Sequence, residues 1–241
     1  MGCLVRWDKE RWVMAWEDDL IASIHYGDER DGIDLPLLPD SDFGMAKIAT
    51  HLGLNVPMHG KAASIELSDS NLENLLSSFL SIRDTCKLIV EIGVDRVDNG
   101  QSSTRLFLDN KRPETVYFGI DLEDKSYLND EAKNIYTIKR DSSDSLHIMS
   151  KLSQILWTEI PEIEIDYLFI DGYHSINQML MDWEYSQLVR GGIIGIHDTN
   201  SHPGPSRFIE SLDRSRFIIN QCDVVPDDNG ITFIRRVGRP V

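Results

Sequence analysis

The chain has 241 residues, 41% hydrophobic and 27% charged, with 16 Gly and 9 Pro, which excludes a disordered or low-complexity protein. Forty acidic against 24 basic residues give a formal charge of −16, a field that repels phosphate polyanions. A nucleic-acid partner is therefore not expected; a neutral or cationic small molecule is. Cys3, Cys86 and Cys222 are too few and too scattered for a disulfide framework or a cysteine zinc site, and they suit a reducing cytoplasm. No uncharged apolar run reaches the roughly 18 residues of a membrane span, and the charged opening MGCLVRWDKE is not a secretory signal.

Residues 1–86 read as a helical or irregular segment without a strong strand. RWVMAWEDDLIASIHY (11–26) carries Trp12, Trp16 and Ile24 at helical spacing, and Gly, Asp and Pro break the pattern from Gly27 to Asp42. Ser68 or Asp69 is placed to cap a second helix leading toward residue 87. Trp7, Trp12 and Trp16 would supply either a lid or a contact in a homo-oligomer, and the sequence does not choose between them.

From residue 87 to 241 short β-branched runs alternate with helical periods, the signature of βαβ units. The strands expected are 87–94, 115–123, 135–141, 165–172, 191–199, 216–225 and 230–236. Crossover helices fit 102–111, 145–159, 176–190 and 206–215, and a poorly periodic stretch around Tyr127 to Ala132 is long enough for one more. Only PDDN and its neighbours join the last two strands, too short for a crossover, so these should form an antiparallel hairpin at one edge. The expected fold is α/β: a Rossmann-like, doubly wound, seven-stranded, mostly parallel sheet with a terminal β-hairpin.

In such sheets ligands bind beyond the carboxyl ends of the strands. The first strand ends in Glu91-Ile92-Gly93, and after an insert Gly100 to Thr104 opens a helix, where Ser102 and Ser103 could meet a carboxylate or a sugar. No GxGxxG is present, which argues against a dinucleotide. Asp121 ends the second strand, where an acid can accept from both ribose hydroxyls; the alternative reading is a helix cap. Asp141 and Ser142 end the third, near where an adenine edge would lie, with Asp144 as the next cap.

The most specific stretch is FIDGYHS (169–175), then a helix containing Asp182, then LVRGGIIGIHDT (188–199), with VEIGV (90–94) upstream. These motifs resemble class I S-adenosylmethionine-dependent methyltransferases, more narrowly the metal-dependent sugar and macrolide O-methyltransferases, over about residues 86–236. The resemblance implies an enzyme that binds S-adenosylmethionine and methylates a hydroxyl of a small molecule. It further implies a divalent ion, usually Mg²⁺, at Asp171 and Asp198, with His174 as base; His197 stands where some relatives carry Glu and joins the metal set. The cofactor would lie near Glu91, Gly93, Ser102, Ser103, Asp121, Asp141, Ser142 and Asp171.

The chemistry is coherent on its own terms. Methyl transfer from a sulfonium is an in-line displacement, so the protein must orient the acceptor and remove its proton, and an imidazole such as His174 titrates near neutrality. Two other readings use the same residues: a two-histidine, one-carboxylate site for non-haem iron drawn from His174, His197, His202, Asp171 and Asp198, or a nucleoside-binding protein without turnover. A purely structural role, with Asp171 and Asp198 capping their loops, competes with all three.

Overall fold

The computed structural model describes residues 69–94, 102–200, 202–222 and 229–238, together with the backbone of 4–8 and 11–15. Strands β1 (Leu4–Asp8) and β2 (Arg11–Ala15) form an antiparallel hairpin in which Trp7 is level with Trp12. This corrects the helical expectation for 11–15. Two five-residue runs containing Val and Trp pair with each other, and strand pairing outweighs a helical spacing that rested on three residues. The rest of the expected helix, from Trp16 onward, and the Gly27 to Asp42 break lie outside the described residues.

Helix α1 (Asp69–Leu80) leads into the main sheet. In chain order follow β3 (Leu88–Ile92), α2 (Ser103–Asn110), β4 (Val116–Asp121), β5 (Ile135–Lys139), α3 (Ser145–Leu156) and β6 (Tyr167–Ile170). Then come α4 (Ile176–Asp182), a 3-10 turn (Trp183–Leu188), β7 (Ile193–His197), α5 (Pro203–Ser211), β8 (Phe217–Cys222) and β9 (Ile231–Arg236). The poorly periodic stretch between β4 and β5 forms two short 3-10 turns, Ser126–Leu128 and Glu131–Lys133, in place of the expected crossover helix, since it lacks an apolar face to bury.

The sheet order is β5-β4-β3-β6-β7-β9-β8. Strands β3 to β7 run parallel, and β9 pairs antiparallel with both β7 and β8. The chain thus winds outward from β3 in one direction, then returns to β6 and proceeds in the other, which puts the topological switch point between β3 and β6.

Alternation along each strand splits the core into two layers. Leu88, Val90 and Ile92 face one cluster with Phe118, Ile148, Leu152, Leu168, Met179 and Phe208, under α3, α4 and α5. Ile89, Tyr117, Tyr167 and Phe169 face the other, with Leu75 and Phe79 of α1 and Phe107 of α2. Phe79, Phe107 and Tyr167 meet edge to face or tilted, with ring centroids 5.3 to 5.7 Å apart. Trp183 packs on Phe208 and Phe217 at 5.0 and 5.5 Å, a core role rather than a ligand contact. No helix among the described residues is long and apolar enough to cross a membrane.

Gly93, just past the end of β3, packs directly against the backbone that follows β6. Its φ is +86°, and a Cβ there would lie 1.9 Å from the carbonyl oxygen of Asp171. Both the backbone angle and the space demand glycine. Gly93→Ala should therefore cost about 3 kcal/mol or more, read as a lowered urea midpoint with unchanged slope; a loss under about 0.5 kcal/mol would contradict this packing.

Candidate active site

Register builds the site. Ile170 of β6 is level with Ile196 of β7, so the next residue of each strand, Asp171 and His197, emerges side by side, and Asp198 follows one step later. Asp198 adopts φ +59°, a left-handed conformation that Asp tolerates better than most residues. His197 Nδ1 lies 3.0 Å from Asp171 Oδ1 and 3.3 Å from Asp198 Oδ2.

His174 enters from the loop after β6. Its Nε2 is 2.7 Å from Asp198 Oδ2 and 3.9 Å from Asp171 Oδ1. Ser175 caps α4 by accepting from the Gln178 amide, which ends the loop directly after the histidine. The ring of His202, at the N-cap of α5, lies over that of His174 with centroids 4.2 Å apart and planes 32° from parallel. His202 was weakly signalled in the sequence. Its neighbour Gly204 makes the contact possible: a Cβ there would be 2.0 Å from the His174 carbonyl oxygen, so α5 can close onto this loop only through glycine.

The cluster is almost dry: His174, His197, Asp198 and His202 are buried and Asp171 is partly so. Burial pushes the Asp171 carboxyl up, but His197 and His174 more than offset it and hold it down at about 2. Burial likewise disfavours charge on Asp198, yet His197 and His174 keep it well below the usual carboxylate range. Burial pushes His197 down, and Asp198 and Asp171 reverse this and hold it well above its ordinary value. Opposite charges at 3 Å thus replace lost hydration. One ligand atom from each of Asp171, His197 and Asp198 lies within 4.8 Å of the others, and the same holds for His174, Asp198 and His202. Carboxylate and imidazole donors this close fit a divalent cation.

The other expected site residues surround the ends of β3, β4 and β5. Glu91 is fully buried beneath α2 and accepts from Ser103 Oγ at 2.5 Å, Thr104 Oγ1 at 2.8 Å and the Tyr117 hydroxyl. Ser102 is the N-cap of α2 and accepts from the Arg105 amide at 3.2 Å. Glu91 and Ser103 therefore bind each other and tie β3 to the start of α2, and Ser102 completes the helix end. Residues 95–101, which include the insert and Gly100, lie outside the described residues.

Asp121 holds the loop ends together: Oδ2 accepts from the Val94 amide and Oδ1 from the Glu123 amide, each at 2.7 Å. Asp141 Oδ1 accepts from the amide and hydroxyl of Ser143, and Asp144 occupies the N-cap position of α3 without a side-chain cap bond. Ser142 is drawn inward: its hydroxyl accepts from Gln178 Nε2 at 2.8 Å and its carbonyl from the Tyr185 hydroxyl at 2.6 Å. Gln178 Nε2 also donates to Asp182 Oδ1 at 2.9 Å, and burial raises the Asp182 carboxyl to about 7. This link between the loop after β5 and helix α4 was not visible in the sequence beyond the bare presence of Asp182.

Burial also raises the Glu91 carboxyl from 4.5 to about 7, against the pull of Ser103, Tyr117 and Thr104. The folded state then binds this proton more tightly than the unfolded state, so the stabilisation is complete below pH 4.5 and lost as pH rises through 7. Glu91→Gln removes the titration, and its stability relative to the parent chain should rise by roughly 3 kcal/mol between pH 4.5 and 8, at about 1.36 kcal/mol per unit. Urea unfolding at both pH values measures it, and a pH-independent difference would contradict a buried, protonated Glu91.

No protein-family model matches the chain, and no curated protein matches it. Several solved structures do. Cofactor-bound Rv0187 from MTB superposes with a TM-score of 0.51 at 15% identity over 88% of this chain and 97% of that one. The O-methyltransferase TomG from Streptomyces achromogenes, involved in tomaymycin synthesis and solved with SAM, gives 0.50 at 16% identity over 87% and 95%. The methyltransferase MycE of the mycinamycin biosynthetic pathway, solved with Mg and SAH, gives 0.50 at 15% identity, covering 80% of this chain and 54% of MycE. The chain therefore spans about half the length of MycE. At such identities the likeness is one of architecture, and the architecture of this chain is the Rossmann-like fold of class I S-adenosylmethionine-dependent methyltransferases.

Proposed function

We propose that the chain is an S-adenosylmethionine-dependent O-methyltransferase acting on a hydroxyl of a small molecule, such as a sugar, macrolide or other secondary metabolite. The observation that carries this reading is the His174–Asp198 pair, 2.7 Å apart and buried, at the carboxyl end of a sheet with the methyltransferase strand order. The formal charge of −16 disfavours a polyanionic acceptor, and two of the folds matched belong to methyltransferases of mycinamycin and tomaymycin biosynthesis.

The cofactor would lie across the ends of β3, β4 and β5. Gly93 admits its backbone-facing edge, and the amide end of α2, fixed by Ser102, Ser103 and Glu91, faces the methionine carboxylate. Asp121 has lone pairs beyond the two amides it already receives and would accept from the ribose hydroxyls. Asp141 and Ser142 would flank the adenine, and Asp171 stands between cofactor and acceptor. The segment before residue 87 would contribute the lid or acceptor contacts.

In the reaction the acceptor oxygen forms a bond to the methyl carbon as the carbon–sulfur bond breaks, and the acceptor proton passes to His174. With Nε2–H turned to Asp198, a neutral imidazole presents Nδ1 as its proton acceptor, and the carboxylate stabilises the imidazolium that forms. A divalent ion held by Asp171, Asp198 and His197 would lower the pKa of the bound hydroxyl.

His174→Gln should reduce methyl transfer by about 10²-fold while calorimetry shows unchanged affinity for S-adenosylhomocysteine; undiminished turnover would reject the base. Asp121→Ala should weaken S-adenosylhomocysteine binding by about tenfold or more, the value of a hydrogen bond to a charged group. No heat of binding for the parent chain at millimolar ligand would remove the whole reading.

A further inference from the structure

The cation site contains nitrogen where magnesium chemistry calls for oxygen. His197 Nδ1 lies within 3.3 Å of an oxygen from each of the two carboxylates, so an ion bridging Asp171 and Asp198 cannot avoid the imidazole that already touches both. His197 is buried on the last residue of a central strand, with its backbone paired to Ile231, so the ring is not free to withdraw as a surface side chain would be. Its other nitrogen, Nε2, has no hydrogen-bond partner among the described residues. The ring is therefore oriented by what lies at Nδ1.

Magnesium is small and hard, keeps its water reluctantly and takes oxygen ligands in near-octahedral geometry. Imidazole suits cobalt, zinc, iron and nickel, whose affinity for mixed nitrogen and oxygen donors is far higher. Two overlapping triads share Asp198. The set Asp171, His197 and Asp198 offers two carboxylates to offset a divalent charge, whereas His174, Asp198 and His202 offers one, so the first holds the ion at lower desolvation cost.

We propose that this chain selects a divalent transition ion of the cobalt–zinc kind over magnesium, through Asp171 Oδ1, His197 Nδ1 and Asp198 Oδ2. The inference deepens the metal-assisted reading above and rests on it only for the location of the ion.

The test uses the full chain and cobalt chloride as probe. Visible d–d absorption should report one Co²⁺ per chain, and proton NMR should show a paramagnetically shifted imidazole N–H from the buried Nε2 of His197. About hundredfold excess magnesium chloride should leave both signals in place. His197→Glu restores an all-oxygen set: the shifted resonance should vanish and the ratio of cobalt to magnesium affinity should fall by about tenfold or more. His202→Gln should change neither stoichiometry nor the resonance. The proposal is overturned if equimolar magnesium displaces cobalt, if the parent chain shows no shifted imidazole resonance, or if His197→Glu leaves the affinity ratio unchanged. Loss of cobalt binding in His202→Gln would overturn the placement. Should His197→Glu not fold, His197→Gln and the parent spectrum decide the same question. Calorimetry with S-adenosylhomocysteine on metal-free samples separates the two ideas, since absent cofactor binding would end the methyltransferase reading and leave the metal result standing.

Discussion

The level termination of two adjacent parallel strands is the constraint on which this molecule turns. Because Ile170 and Ile196 share a rung, the residues that follow them are forced into one another's company whether or not their charges agree. Two carboxylates alone in that dry space would repel and lose hydration with nothing in return. The imidazoles resolve this, each placed by a separate element: His197 by the strand itself, His174 by the loop before α4, His202 by the cap of α5. Removing His174 or His197 outright would leave a buried carboxylate uncompensated, so these two imidazoles and the two acids act as a unit.

Around this cluster the fold uses buried acids in a second way. Glu91, beneath α2, receives donors from that helix; Asp182, on the buried face of α4, receives one from Gln178 a turn earlier; and each is pushed up to about 7. A protonated carboxyl both donates and accepts, which suits it to joining a strand or a loop to a helix. Asp171 and Asp198, on the same end of the sheet, remain ionised because the imidazoles of His197 and His174 face them. Environment, not residue type, divides the acids between scaffold and site.

Much of this was legible beforehand. The five parallel strands and closing hairpin followed from the alternation of β-branched runs with helical periods; Asp171 and Asp198 stood at strand ends that any doubly wound sheet exposes, and His174 was singled out by the resemblance of its FIDGYHS motif. Three things were not legible, for different reasons. The β1–β2 hairpin competed with a helical spacing in a run too short for periodicity to decide. His202 reaches His174 only because Gly204 lets two backbones touch, a tertiary event with no local signature beyond the glycine. The inward commitment of Glu91, Ser103 and Ser142 depends on which face of each element is covered, and polar residues at strand ends read the same whether they meet ligand or protein.

The position of β9 has a consequence for biosynthesis. This strand lies between β7 and β8, although it follows both in the chain, and it carries the Thr232 hydroxyl that meets Thr199 just beyond Asp198. Until residues 231–236 have emerged from the ribosome, β7 presents an open edge and β8 has no neighbour in the sheet. The nascent chain must therefore hold its central parallel strands together through the inner pairings alone. The turn after β7 that carries Asp198 and Thr199 is consequently among the last features of the molecule to take shape during translation.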